Sequence, residues 1–220
     1  MVSSRKKEHR RSCIVGITGG IGCGKTTVAE IVCELGYPVL FSDLIAQKLI
    51  ASDKTIQKKL KSVFGESVFD AHHALVKKKL AEIVFPDSKK LQQLNEIVHP
   101  KTIAYIENEI RLLSGQNNPL IFVESALIYE AEIEGTFDYI IAVSSSPEKV
   151  YSRLAKRSGM SEAEIEKRIL QQIPVEEKER RADFVIRNDD SMDVLRQNTK
   201  FILTLLTALK PKSQRPRAAK

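Results

Sequence analysis

Eight residues, Gly19-Gly20-Ile21-Gly22-Cys23-Gly24-Lys25-Thr26, constrain this chain more than any other stretch. They fit G-x-x-x-x-G-K-[ST]. An apolar, β-branched run at 14–18 precedes them, and apolar residues at helical spacing follow at Val28, Ile31, Val32 and Leu35 until Gly36 stops the pattern. Strand, glycine loop and helix in that order are the setting in which such a loop holds phosphates. The glycines let backbone N–H groups turn inward, and the helix N-terminus adds partial positive charge. Residues Gly20, Ile21, Gly22, Cys23, Gly24, Lys25, Thr26 and Thr27 are therefore the expected nucleotide cradle. Lys25 reaches the β- and γ-phosphates, and the Thr26 hydroxyl meets Mg²⁺. The spacing of Gly20, Gly22 and Gly24 is wrong for the dinucleotide fingerprint. The D-x-x-G and N-K-x-D elements of switch GTPases are missing, which leaves ATPases and small-molecule kinases.

The rest of the chain fits an α/β architecture. Short buried-strand runs recur at 38–41, Leu120–Glu124, 139–143 and Phe184–Arg187, with helical patterns between them. That predicts a P-loop nucleoside-triphosphate hydrolase fold: a five-stranded parallel sheet with helices on both faces. The predicted core is 12–51 with 118–150 and 182–209. Residues 52–117 lose the strand runs and form a predicted helical insert. Residues 147–181 are charged and helical; Gly159 breaks them, Ser161-Glu162-Ala163-Glu164 reads as a capping box, and Pro174 is expected to end a helix.

The net charge of +7 invites a nucleic-acid reading, but its distribution argues against one. Residues 1–11 carry five basic residues and one acid, and 210–220 carry five and none, while the body holds 25 basic and 27 acidic residues. The basicity lies in two tails that are expected to be disordered. No apolar run approaches the roughly 20 residues that span a bilayer. The three cysteines make no C-x-x-C pair, which suggests reduced thiols in a cytoplasmic protein.

On the acceptor side, Asp43 follows the second strand and would share a sheet edge with Lys25, where it could take a proton from an attacking hydroxyl. It reads equally as a helix N-cap, as does Ser42. Arg153 and Arg157 share a helix face, either as phosphoryl-group clamps on a lid or as a solvated basic face. Glu124 ends a strand, where it could hold Mg²⁺ through water or orient a loop.

These residues resemble the dephospho-CoA kinase family across about 14–206. The resemblance runs from Ile17 through Thr26, then Phe41-Ser42-Asp43, Val98-His99-Pro100, Glu124-Ser125-Ala126-Leu127-Ile128-Tyr129-Glu130, Arg153, Arg157, Gln172-x-Pro174 and Ala182-Asp183-Phe184-Val185-Ile186-x-Asn188. Departures include Cys23 for serine, Phe41 for an acid, His72-His73 for Asp-Gly, Lys77 for arginine, Ala126 for proline and Asp190 for glycine. The resemblance implies ATP and Mg²⁺ as cofactors and dephospho-CoA as acceptor, with 52–117 as a CoA-binding insert and 151–181 as a lid. It implies Asp43, Lys25, Arg157 and Arg153 as catalytic, Asp43, Lys77 and His99 as substrate-binding, Asn188 beside the nucleotide, and Thr26 and Glu124 at the metal. His99 reads equally as a helix-start residue with Pro100 at the first helical position. A monomer is expected, with an oligomer left open. Another small-metabolite or nucleotide kinase is the rival reading.

Overall fold

A computed structural model describes residues 11–72, 74–158 and 161–212, apart from the side chains of residues 157 and 158. His73, the break at Gly159 and tail residues 1–10 and 213–220 lie outside the described residues. Five strands build one sheet: β1 (Cys13–Gly19), β2 (Val39–Phe41), β3 (Leu120–Glu124), β4 (Tyr139–Ser144) and β5 (Phe184–Arg187). Their order is β2-β3-β1-β4-β5, and every pairing is parallel. The expected P-loop fold is present. The three inner strands are apolar without alternation because helices cover both faces; each of their residues is buried.

The helices are α1 (Lys25–Glu34), α2 (Ser42–Ser52), α3 (Lys54–Phe64), α4 (Lys77–Val84), α5 (Ser88–Gly115), α6 (Pro147–Ser158), α7 (Glu162–Leu170), α8 (Val175–Arg181) and α9 (Met192–Ala208). One core cluster joins Val15, Ile17, Phe122 and Ile141 to Val28 and Val32 of α1, Leu154 of α6 and Leu203 of α9. The second joins Ile14, Ile121, Val123 and Ile140 to Ile45 of α2 and Ile106 of α5. A third cluster lies in the insert, where Ile56, Leu60, Leu80 and Val98 pack with Ile50 of α2.

The 28-residue α5 ties the insert to the sheet. Its first half feeds the insert cluster through Leu91, Leu94 and Val98, and its second half feeds the sheet through Ile106, Ile110 and Leu113. Pro100 lies inside this helix, so the reading of His99 and Pro100 as a helix start is corrected. The start is at Asp87, whose carboxylate accepts from the N–H groups of Lys89 and Lys90. Packing on both sides of Pro100 outweighs its missing donor, a loss of roughly 3 kcal/mol in a helix interior.

Two other local expectations change. Helix α7 has the Ser161–Glu164 capping box but stops at Leu170; Pro174 is instead the N-cap of α8. The inner ends of the tails are ordered. Arg11 donates to Asp138, Lys212 pairs with Asp183, and the Tyr139 hydroxyl donates to the Lys210 carbonyl at 2.9 Å. Those two carboxylates also accept from the Ile14 and Ile140 N–H groups, so the cations balance charge at strand ends.

Gly19, the last residue of β1, has φ +147°, and a Cβ there would lie 2.0 Å from the Val143 carbonyl oxygen of β4. A paired strand cannot retreat that far. Gly19→Ala is expected to cost more than about 3 kcal/mol in urea unfolding; a loss below about 1 kcal/mol would contradict this packing.

Candidate active site

The register brings three strand ends level. Ile17 of β1 and Phe41 of β2 both pair with Glu124, the last residue of β3. The phosphate loop leaves β1 two residues beyond Ile17, and Asp43 lies two beyond Phe41. Lys25, Glu124 and Asp43 therefore meet at the carboxyl rim of the sheet, where ligands of open α/β folds bind. Their charges act on one another: both carboxylates raise the Lys25 pKa, and Asp43 raises that of Glu124.

The loop is held from behind. Gly24, the N-cap of α1, has φ 95°, and a Cβ there would sit 2.1 Å from the Asn188 amide nitrogen. That amide donates to the Cys23 carbonyl at 2.9 Å, so the buried Asn188 side chain is spent on the loop backbone. α1 has no side-chain cap and no acid in its first turn, which leaves its N-terminal donors without a competing side chain. Thr26 is exposed and Thr27 half-buried at that end. Cys23 is buried, and burial pushes its thiol pKa up.

Lys25 is nearly enclosed. Its ammonium donates to the Gly20 carbonyl at 2.9 Å. Burial pulls its pKa down, with Glu124 the largest opposing influence. Burial also pushes the Glu124 carboxyl up to about 7, against the pull of Lys25.

Asp43 does not cap α2, and neither does Ser42. The N-cap is Phe41, no side chain caps the helix, and Asp43 occupies the first turn. Asp43 lines a cleft of about 670 Å³ together with Ile21 of the phosphate loop, His99 and Pro100 of α5, Glu130, Arg168 of α7, and Gln171 and Gln172 just after it. A smaller apolar slot of about 70 Å³ adjoins it, also bordered by Asp43 and His99. Burial lowers the His99 pKa, with Asp43 opposing, which favours the neutral imidazole. Lys77 lines neither space; it is exposed and donates to the Gln47 side chain at 2.7 Å.

Arg153 works as a latch. It donates to the Ser145 hydroxyl at 3.1 Å and to the Asn188 carbonyl at 2.7 Å, holding α6 to the segment after β5. The side chain of Arg157 lies outside the described residues.

Sequence reasoning missed Lys178. It is fully buried, and its ammonium donates to the Ala126 carbonyl and to Glu130 Oε1, both at 2.7 Å. The same oxygen accepts from the Ile173 N–H at 3.0 Å. Lys178 sits in the run Glu176-Glu177-Lys178-Glu179-Arg180-Arg181, which reads as a solvated helix. Only the fold turns that lysine inward, where its charge adds to burial in lowering the Lys25 pKa. Removing one member of such a buried pair strands the other charge, typically at 3–5 kcal/mol.

A family model for dephospho-CoA kinase matches residues 13–193. A dephospho-CoA kinase of Aquifex aeolicus is 36% identical over 193 residues, 88% of this chain and 97% of that protein. One from Listeria monocytogenes is 32% identical over 192 residues, 87% of this chain and 94% of the relative. Among solved structures, a Thermus thermophilus protein superposes with TM-score 0.74 at 35% identity, covering 90% of this chain and 99% of its own. The dephospho-CoA kinase of Campylobacter jejuni superposes with TM-score 0.61 at 27% identity over the same shares. The match takes in the phosphate loop, the helical insert and helices α6 to α8 alike, and this chain belongs to the dephospho-CoA kinase family.

Proposed function

We propose that this chain transfers the γ-phosphoryl group of ATP to the ribose 3′-hydroxyl of dephospho-CoA, with Asp43 as proton acceptor. One observation carries the reading: Asp43, His99 and the phosphate-loop residue Ile21 line a single cleft, on a rim shared with Lys25. The triphosphate takes the Lys25 ammonium, now on the Gly20 carbonyl, and the loop amides ahead of α1. The acceptor hydroxyl lies between Asp43 and the γ-phosphorus. Its oxygen forms the new P–O bond as the bond to the β-bridging oxygen breaks, ADP leaves, and the proton passes to the Asp43 carboxylate. Neutral His99 offers a hydrogen bond that orients the ribose. Arg157 is proposed to meet the transferring group when the lid closes; for Arg153 to join it, its bonds to Ser145 and Asn188 must be released.

Mg²⁺ would neutralise charge on the β- and γ-phosphates. Thr26 through its hydroxyl and Glu124 through water are the residues that would hold it. They fit: burial makes ionised Glu124 costly until a cation lies nearby. Among the described residues no cluster of three or more His, Cys, Asp or Glu could cage a metal.

We assign residues 52–117 to acceptor binding and 151–181 to the lid, around a core of 12–51, 118–150 and 182–209. The proposed working form is a monomer, with an oligomer left open. Described cysteines are free, which suits the cytoplasm, and no helix among the described residues is long and apolar enough to cross a membrane.

Asp43→Asn is expected to lower kcat by roughly 10²- to 10⁴-fold while KM for ATP stays near wild type, in an ADP-release assay with dephospho-CoA. Near-normal kcat would remove Asp43 from the reaction. Glu124 gives a pH test on the ligand-free protein. Its folded pKa is raised from 4.5 to about 7, so its contribution to stability is fully present below 4.5 and is lost as pH rises through 7. Glu124→Gln should therefore match wild type in Tm near pH 4.5 and exceed it at pH 8, by the equivalent of roughly 3 kcal/mol at most. An equal difference at both pH values would contradict the buried carboxylate.

A further inference from the structure

The cleft that holds Asp43 has an uneven charge inventory. Its described lining includes three acids, Asp43, Glu96 and Glu130, and a single Lys or Arg, which is Arg168 of α7. Glu130 is already paired with Lys178, and Glu96 accepts from the Gln92 side chain at 2.9 Å. Lys77, the basic residue that the family resemblance points to for substrate, lies outside this lining. Glu164, the acid one helical turn before Arg168, is occupied in the Ser161 capping box.

Arg168 is placed by both ends of its surroundings. Its guanidinium stacks over the Phe85 ring of the insert, 4.3 Å from the centroid. The next residues along the chain fasten the same turn: Gln171 donates to the Phe85 carbonyl at 2.8 Å, and Gln172 accepts from the Ile21 N–H at 3.1 Å. The lid therefore touches the insert and the phosphate loop at once, with Arg168 over the space between them. The acceptor proposed for this space carries a diphosphate on the ribose 5′-carbon, close to the reacting 3′-hydroxyl. A planar guanidinium held on an aromatic ring is suited to a forked contact with such a group.

We propose that Arg168 binds the acceptor's diphosphate and so both selects a phosphorylated nucleoside acceptor and draws the lid over it. The proposal rests on the dephospho-CoA reading and adds a specificity residue to it. It separates Arg168 from Lys25, which serves the donor's phosphates on the other side of Asp43.

The test pairs a side-chain change with an acceptor change. Wild type, Arg168→Ala and Arg168→Lys are assayed for ADP release with dephospho-CoA and with adenosine, which keeps the ribose and lacks the diphosphate. Arg168→Ala should lower kcat/KM for dephospho-CoA by roughly tenfold to hundredfold. It should change kcat/KM for adenosine by less than about threefold and leave KM for ATP unaltered, with Arg168→Lys in between. An equal loss with both acceptors would make Arg168 a lid strut rather than a diphosphate ligand. A rise confined to KM for ATP would assign it to the donor. Either result overturns the proposal and leaves the kinase reading standing. Wild type that releases no ADP with dephospho-CoA would overturn the acceptor assignment and this inference together.

Discussion

The site depends on one register. Glu124 pairs on one side with Ile17 and on the other with Phe41, so the ends of β1 and β2 stand at equal height although β3 lies between them. A one-residue slip in either pairing would move the phosphate loop or Asp43 away from the rim and turn alternate side chains to the wrong face. The cost of this arrangement is visible in its titration. Lys25 and Glu124 are both buried, burial drives each towards its neutral form, and each charge supports the other. Such a pair is held by the sheet beneath it and is poised for a ligand that brings strong charge of its own.

Around this rim, the supporting contacts come from distant parts of the chain. Asn188, after β5, holds the Cys23 carbonyl, and Arg153 on α6 holds the Asn188 carbonyl. Lys178 on α8 holds Ala126 and Glu130, and Glu130 takes the Ile173 N–H between α7 and α8. The phosphate loop, one wall of the Asp43 cleft and the segment joining α7 to α8 are thus held through hydrogen bonds to buried groups, where each bond resists loosening because its loss would strand a polar atom. Rigid support of this kind limits how far a reacting oxygen can stray from line.

Much of this was legible in the sequence because the relevant signals are local. The glycine loop between an apolar strand and a periodic helix announces the sheet and its ligand edge, and the loss of strand runs after Ser52 marks the helical insert. What was not legible was set by packing between distant segments. His99 and Pro100 resemble a helix start locally, yet two apolar clusters carry α5 straight through them. Lys178 resembles its charged neighbours and is distinguished only by Ala126 and Glu130, about fifty residues earlier. Asp43 looked as much like a cap as a reactive carboxylate until the geometry left α2 without a side-chain cap. Arg168 gave no signal at all, since its meaning comes from Phe85 across the cleft.

In the proposed reaction an alcohol is held between a carboxylate and a triphosphate on one sheet rim. A crystal structure with a non-hydrolysable ATP analogue and dephospho-CoA bound together tests it most directly. The predicted result has the γ-phosphate at Lys25 and the ribose 3′-oxygen within about 3 Å of the Asp43 carboxylate, in line with the γ-phosphorus. A ribose bound elsewhere, with Asp43 turned from the cleft and the acceptor oxygen out of line, would contradict it.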